Sequence, residues 1–171
     1  MCCKSQSDCE GGGYLMDELI YDRTQADVNR AIELNDKYNK GTITPSEILE
    51  WDNFLKGAYN YTDLNRIEQW CDYIAEQLNL YGYKVNITTN IELYDWDMED
   101  FPTKETMKTI RDNVEKLKEA FIAFTYVPGN LEKMTYEKAN NLEKVLHELD
   151  ILINNMIANF YYSGETYSGE V

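Results

Sequence analysis

The sequence predicts an all-α fold, a bundle of three long helices preceded by two shorter ones, with one extended, strand-like crossover. Three observations carry this expectation. Three long stretches place apolar residues at alternating spacings of three and four, which marks one stripe of a helix. Residues that cap helices stand in front of several stretches. A single segment alternates apolar with polar residues as a half-buried strand does.

Taken in chain order, residues 1–18 hold Cys2, Cys3, Cys9 and the run Gly11-Gly12-Gly13 without apolar periodicity, and are expected to form a flexible leader. The bundle domain is expected over 19–160. Thr24 followed by Asp27 reads as an acidic capping box and opens a helix over about 25–39, with Val28, Ala31, Ile32 and Tyr38 inward. Gly41 breaks it. Thr44-Pro45-Ser46-Glu47 then sets Thr at a cap, Pro at the first helical position and Glu at the third, starting a short helix that ends near Gly57.

The three seams follow. Over 63–81 they fall at Leu64, Ile67, Cys71, Ile74, Leu78 and Tyr81; over 104–124 at Met107, Ile110, Val114, Leu117, Phe121 and Phe124. Over 136–160 they fall at Ala139, Leu142, Leu146, Leu149, Ile153, Met156 and Phe160. A sustained repeat near 3.5 favours helices packed almost in line. Val145, Leu152 and Ile157 add a second stripe to the last helix, which should make it the central rod. Gly82 to Leu93 alternates but has no partner strand, so it is an extended crossover or half of a hairpin. Val127-Pro128-Gly129-Asn130 closes the helix before it. Tyr162-Ser163-Gly164-Glu165 recurs as Tyr167-Ser168-Gly169-Glu170, too rich in glycine for helix, and 161–171 is expected to be an extended tail.

Composition narrows the function classes. Sixteen basic against 31 acidic residues give a net charge of −15, which repels phosphate backbones and anionic lipid, so neither nucleic acid nor membrane is an expected partner. A hydrophobic content of 43% supports a sizeable core. No apolar run approaches the roughly 18 residues of a membrane span, and Met1-Cys2-Cys3-Lys4 lacks the core of a signal peptide; the cytoplasm of whatever cell makes it is the expected compartment.

Candidate chemistry is sparse. Cys2, Cys3 and Cys9 do not show the doubled spacing of a zinc site, and Cys71 on a seam reads as a buried thiol. Asp95-Trp96-Asp97-Met98-Glu99-Asp100 begins like a calcium loop but lacks its turning glycine and closing glutamate; it reads as an acidic turn before a helix capped by Thr103. His147 is the single histidine, which excludes every two-histidine zinc motif, and it reads as a boundary residue. No nucleophile elbow or phosphate-cradling loop occurs. The expectation is therefore no catalytic residue, no metal and no cofactor. Fourteen tyrosines are more informative, because rings gathered at helix ends and connections suit protein interfaces. Tyr59, Tyr61, Tyr161, Tyr162 and Tyr167 are the expected interface residues.

Leu19-Ile20-Tyr21-Asp22-Arg23-Thr24, the stretch from Leu55 through Asn60-Tyr61-Thr62-Asp63-Leu64-Asn65-Arg66, Met134 to Glu143 and the closing Tyr-Ser-Gly-Glu repeat resemble a module of phage and prophage virion structural proteins from low-GC Gram-positive bacteria, found at the tail or baseplate. The resemblance covers 19–171. It implies a non-enzymatic virion subunit located in the particle, with other virion proteins and copies of itself as partners and no small-molecule substrate. It ascribes no catalytic residue to carry over. The residues themselves read as structural punctuation: Asn60 and Thr62 as caps, Arg66 near enough to pair with Asp63, Thr135 capping the last helix, and Asn140 and Asn141 on its wetter side. A soluble prophage-encoded host-directed binding protein and a metal-dependent enzyme are the alternatives.

Overall fold

The computed structural model describes residues 16–53, 55–88 and 96–165, with side chains as far as 159. Within them the chain is all-helical: α1 (Gln25–Asn39), α2 (Pro45–Asp52), α3 (Tyr61–Leu80), α4 (Lys104–Ala120) and α5 (Tyr136–Glu165), with no strand among the described residues. The cysteine-bearing part of the leader, residues 89–95 and residues 166–171 lie outside them.

The caps form as the sequence requires. Thr24, Thr44 and Asn60 each accept at the third helical position or one residue before it, while Asp27, Glu47 and Asp63 reach back to the cap backbone, completing three capping boxes. Thr103 caps α4, and the Thr135 hydroxyl accepts from Lys138 N–H at the head of α5. Gly41 (φ 66°) and Gly82 (φ 94°) close α1 and α3 by the same device. Each takes the left-handed conformation, and the two N–H groups after the cap turn back onto Tyr38 and Lys37, or Asn79 and Leu78.

Helices α3, α4 and α5 pack mutually as a three-helix bundle, and the expected seams are its core. Leu64, Ile67, Cys71, Ile74 and Leu78 meet Met107, Ile110, Val114 and Leu117, and both meet Leu142, Val145, Leu146, Leu149 and Ile153 of α5. The second stripe of α5 supplies Val145 to the core and packs Ile157 against it. Helices α1 and α2 form a hairpin beside the bundle, held by Arg30 to Glu50 (2.7 Å), Lys37 to Glu47 (2.5 Å) and the stack of Tyr38 on Trp51 (6.0 Å, 7°).

Four expectations change. On α1 the buried side chain is Leu34; Ile32 and Tyr38 are exposed, because α1 packs chiefly on α2 and has no second helix to cover its other stripe. Helix α2 stops at Asp52, short of Gly57. Helix α4 stops at Ala120: Phe121 is extended (φ −145°, ψ 112°), and Phe124 is 89% exposed instead of closing the seam. The run Phe121 to Val127 is aromatic and β-branched, which favours extended backbone, and the Glu148 carboxylate fixes it by accepting from Phe124 N–H (2.9 Å), Thr125 N–H (2.8 Å) and the Thr125 hydroxyl (2.5 Å). Helix α5 continues to Glu165, five residues past Phe160, so 161–165 are helical and not extended.

The described part of the crossover, residues 83–88, forms neither helix nor strand, and Val85 N–H turns back onto Tyr83 O (2.8 Å). Side-chain amides tie this backbone to the helices. Asn79 of α3 accepts from Val85 N–H (2.7 Å) and donates to Val85 O (2.9 Å). Asn113 of α4 treats Thr88 in the same way, and Asn65 of α3 does so for Trp96 (3.0 and 2.9 Å). Each amide presents the donor and acceptor that a neighbouring strand would.

Gly57 ties the hairpin to the bundle. A Cβ there would fall 2.1 Å from the backbone oxygen of Asp27 and 2.5 Å from the nitrogen of Val28, so the loop before α3 passes directly over the first turn of α1. Gly57→Ala is expected to cost about 1–3 kcal/mol through this overlap with backbone, read as a lowered urea midpoint with unchanged slope. A second test concerns Glu148. Burial pushes its pKa up, but the Thr125 hydroxyl and the N–H groups of Thr125 and Phe124 outweigh this and hold it below the ordinary 4.5. A carboxylate lowered by folding stabilises above its unfolded pKa and loses that contribution as the pH falls through the lowered value. Protection of the Phe124 and Thr125 amides against hydrogen exchange should therefore decline below about pH 4, and Glu148→Gln should remove the dependence.

Candidate functional site

An extended strap, residues 16–24, crosses α3 and α5 before α1 begins. Trp70 Nε1 of α3 donates to Asp17 O (2.9 Å), Leu19 enters the core, and Tyr21 stacks on His147 of α5 at 4.6 Å. Asn140 grips the strap as the other asparagines grip the crossover, accepting from Arg23 N–H (3.0 Å) and donating to Arg23 O (2.8 Å). Asn140 is thus a half-buried anchor, not a residue of the wetter side.

Under the strap lie four charged side chains, each at most 5% exposed as a residue: Arg23, Asp63, Arg66 and Glu143. Glu143 takes Arg66 in a two-pronged bond, Nε to Oε2 at 2.8 Å and Nη2 to Oε1 at 3.0 Å. It also accepts from Arg23 Nη2 (2.7 Å) and Ile20 N–H (2.6 Å). Asp63 Oδ1 accepts from Arg23 (2.7 Å) and from Arg66, while its Oδ2 serves the cap of α3 through Asn60 N–H (2.9 Å). Arg23 Nη1 returns to Ile20 O. Two guanidiniums and two carboxylates cancel, so the clasp itself buries no net charge. Burial works against the charge on Arg66, but the bonds and attraction of Glu143 and Asp63 prevail and hold its pKa above the ordinary value.

The clasp has an aromatic lid. The Arg23 guanidinium lies 5.9 Å from the ring centre of Tyr59, within cation–π range. Burial drives the Tyr59 hydroxyl pKa well above 10.0, with Asp63 and Glu143 adding to the effect, so it stays a neutral donor. That hydroxyl and Arg23 Nε are buried polar atoms without a hydrogen-bond partner among the described residues.

The outer side of Tyr59 belongs to a second feature, a groove of about 720 Å³ between the hairpin and the bundle. Ala31, Ile32 and Trp51 form the hairpin wall; Tyr59, Tyr61 and Leu64 form the bundle wall. Of the expected interface residues, the structure brings Tyr59 and Tyr61 together here, both half-buried and packed against the core. Tyr161 and Tyr162 lie on the α5 backbone beyond the described side chains, and Tyr167 lies outside the described residues. Among the described residues no three His, Cys, Asp or Glu side chains are grouped to hold a metal ion, and no helix is long and apolar enough to cross a membrane.

The residues missed in the sequence are Arg23 and Glu143 as partners of Asp63 and Arg66, and Asn140 as the anchor of the Arg23 backbone. One signal was present: Glu143 stands four residues after Ala139 and three before Leu146, a charge on a core stripe. Such a position requires a buried counter-charge from elsewhere in the chain. Comparison with known proteins returns no match to a family model, a curated protein or a solved structure.

Glu143→Ala strands two buried guanidiniums and is expected to destabilise by about 3–5 kcal/mol in denaturant titration. Tyr59→Phe removes a hydroxyl that bonds to nothing described, so it should change stability by less than about 1 kcal/mol.

Proposed function

We propose that this protein is a structural subunit of a phage particle, set at its tail or baseplate and acting through contacts with other virion proteins and copies of itself, without catalysis. The observation that supports the reading is where the motif residues fall. The segments that resemble the virion module supply Ile20 and Arg23, then Tyr59, Asn60, Asp63 and Arg66, then Asn140 and Glu143, and all of them meet in one clasp. The most specific part of the sequence thus serves to lock a strap and two helices. The clasp's carboxylates are taken up by guanidiniums and backbone N–H groups, which leaves neither one placed as a base for a substrate. A clasp of this kind specifies a rigid scaffold, and the surfaces outside it are left to meet the partner.

The surface suits that role. Ile122, Phe124 and Tyr126 project from the segment clamped by Glu148 and are 64–89% exposed, and Ile32 and Met98 stand exposed at the groove. Apolar side chains held out on fixed backbone are what a docking partner covers. The net charge of −15 keeps free protomers apart and is neutralised against basic surfaces on assembly. Quantitative mass spectrometry of purified particles is the test: the protein is expected at a fixed copy number per particle. Its absence from particles, with the protein present in infected cells, would move the function to a soluble host-directed binding protein.

A further inference from the structure

We propose that the groove between the α1–α2 hairpin and the bundle is the docking site for a basic, apolar-tipped segment of a different protein. This rests on the reading that the protein acts by protein contact and names the chemistry of one partner. The floor is apolar: Ala31, Ile32, Trp51, Tyr61, Leu64 and Met98 line it, with Ile32 and Met98 more than half exposed. The rim is acidic. Asp52, Asp97 and Asp100 stand on it, and among the described residues no lysine, arginine or histidine does.

Those three carboxylates differ from the three glutamates of the hairpin. Glu33, Glu47 and Glu50 are paired with Arg30 and Lys37. The rim aspartates have no basic partner among the described residues; Asp97 and Asp100 only accept from backbone N–H groups of their own turn, at 2.7 and 2.9 Å. Nearby lysines in sequence are engaged elsewhere, Lys56 with Asp22 and Lys104 with Glu132. An occupant that covers the floor must therefore bring its own cations to the rim. An acidic or phosphate-bearing occupant is repelled both by the rim and by a net charge of −15.

Size and charge then select among the remaining occupants. A groove of about 720 Å³ accepts a few large side chains, as an amphipathic helix or short extended segment presents them, and not a whole domain face. A second copy carries the same net charge of −15 and would bring a strongly acidic surface to an acidic rim, so it is repelled. The partner is accordingly another protein, with Lys or Arg flanking Leu, Met or aromatic residues.

The probe is a synthetic amphipathic helix of leucines and lysines, compared with the same peptide carrying glutamate for lysine. Binding to the full chain is read by calorimetry and mapped by amide chemical shifts. The lysine peptide is expected to bind with shifts centred on Ile32, Trp51 and Met98, and the glutamate peptide not to bind. Asp52→Asn, Asp97→Asn and Asp100→Asn together should weaken binding by about tenfold, while neutralising exposed Asp36, Glu76 and Glu119 together should weaken it less than about threefold. Ile32→Lys, a change at an exposed position, gives an independent loss with the fold intact by circular dichroism. Equal losses from both triple variants, or shifts away from the groove, would reduce the attraction to overall charge and overturn the proposal. A dimer in light scattering that the Ile32→Lys change dissociates would overturn it in favour of a second copy. Either result leaves the particle test standing, so loss of this site and loss of the virion reading are separately visible.

Discussion

Removing two guanidiniums and two carboxylates from water costs several kcal/mol per ion, and the attraction among them compensates only when all four arrive in good geometry with their remaining lone pairs filled. Arg23, Asp63, Arg66 and Glu143 meet that condition, through one two-pronged bond, shared Nη2 donors and the Ile20 amide. The rest of the structure depends on this constraint. Any packing of the strap, α3 and α5 that separates the four leaves an uncompensated buried charge. Apolar seams alone tolerate sliding by a turn; the clasp does not. It fixes the register of α3 against α5 and brings the strap over both, which in turn sets where α1 starts.

A recurring device extends this control to the chain outside the helices. Asn65, Asn79, Asn113 and Asn140 each pair with both the N–H and the C=O of one residue outside the helices, namely Trp96, Val85, Thr88 and Arg23. An extended segment without a neighbouring strand must satisfy its backbone or leave it wet. Here the helices supply the ladder one residue at a time. The extended segments thus lie flat against the bundle, with Val85, Trp96 and Leu19 in its core.

The groove follows from the same geometry. Strap and clasp place the start of α1 against the loop at Gly57, where backbone meets backbone, but no described residue fills the space between α1 and the start of α3 farther along. Tyr59 belongs to both features, its ring under Arg23 and on the groove wall. Whatever occupies the groove therefore touches the side chain that lids the clasp.

The sequence by itself determined the helices and the core. Periodicity, capping boxes and glycine stops act within a few residues of chain, so α1 and the starts of α2 and α4 were legible to within a residue or two, and the seam residues Leu64 to Leu78, Met107 to Leu117 and Ala139 to Ile153 were named correctly, whereas Tyr81, Phe121 and Phe124 were not buried as expected. It also marked the motif residues without telling what they do. Only the tertiary structure decided that Arg23 meets Glu143 across 120 positions, that Asn140 turns inward, that Phe124 faces solvent because Glu148 ends α4's course, and that Ile32 has no helix to cover it. Those outcomes depend on which segments become neighbours. Pairing of buried charges and backbone groups is a property of the assembled chain, and no local pattern encodes the partner.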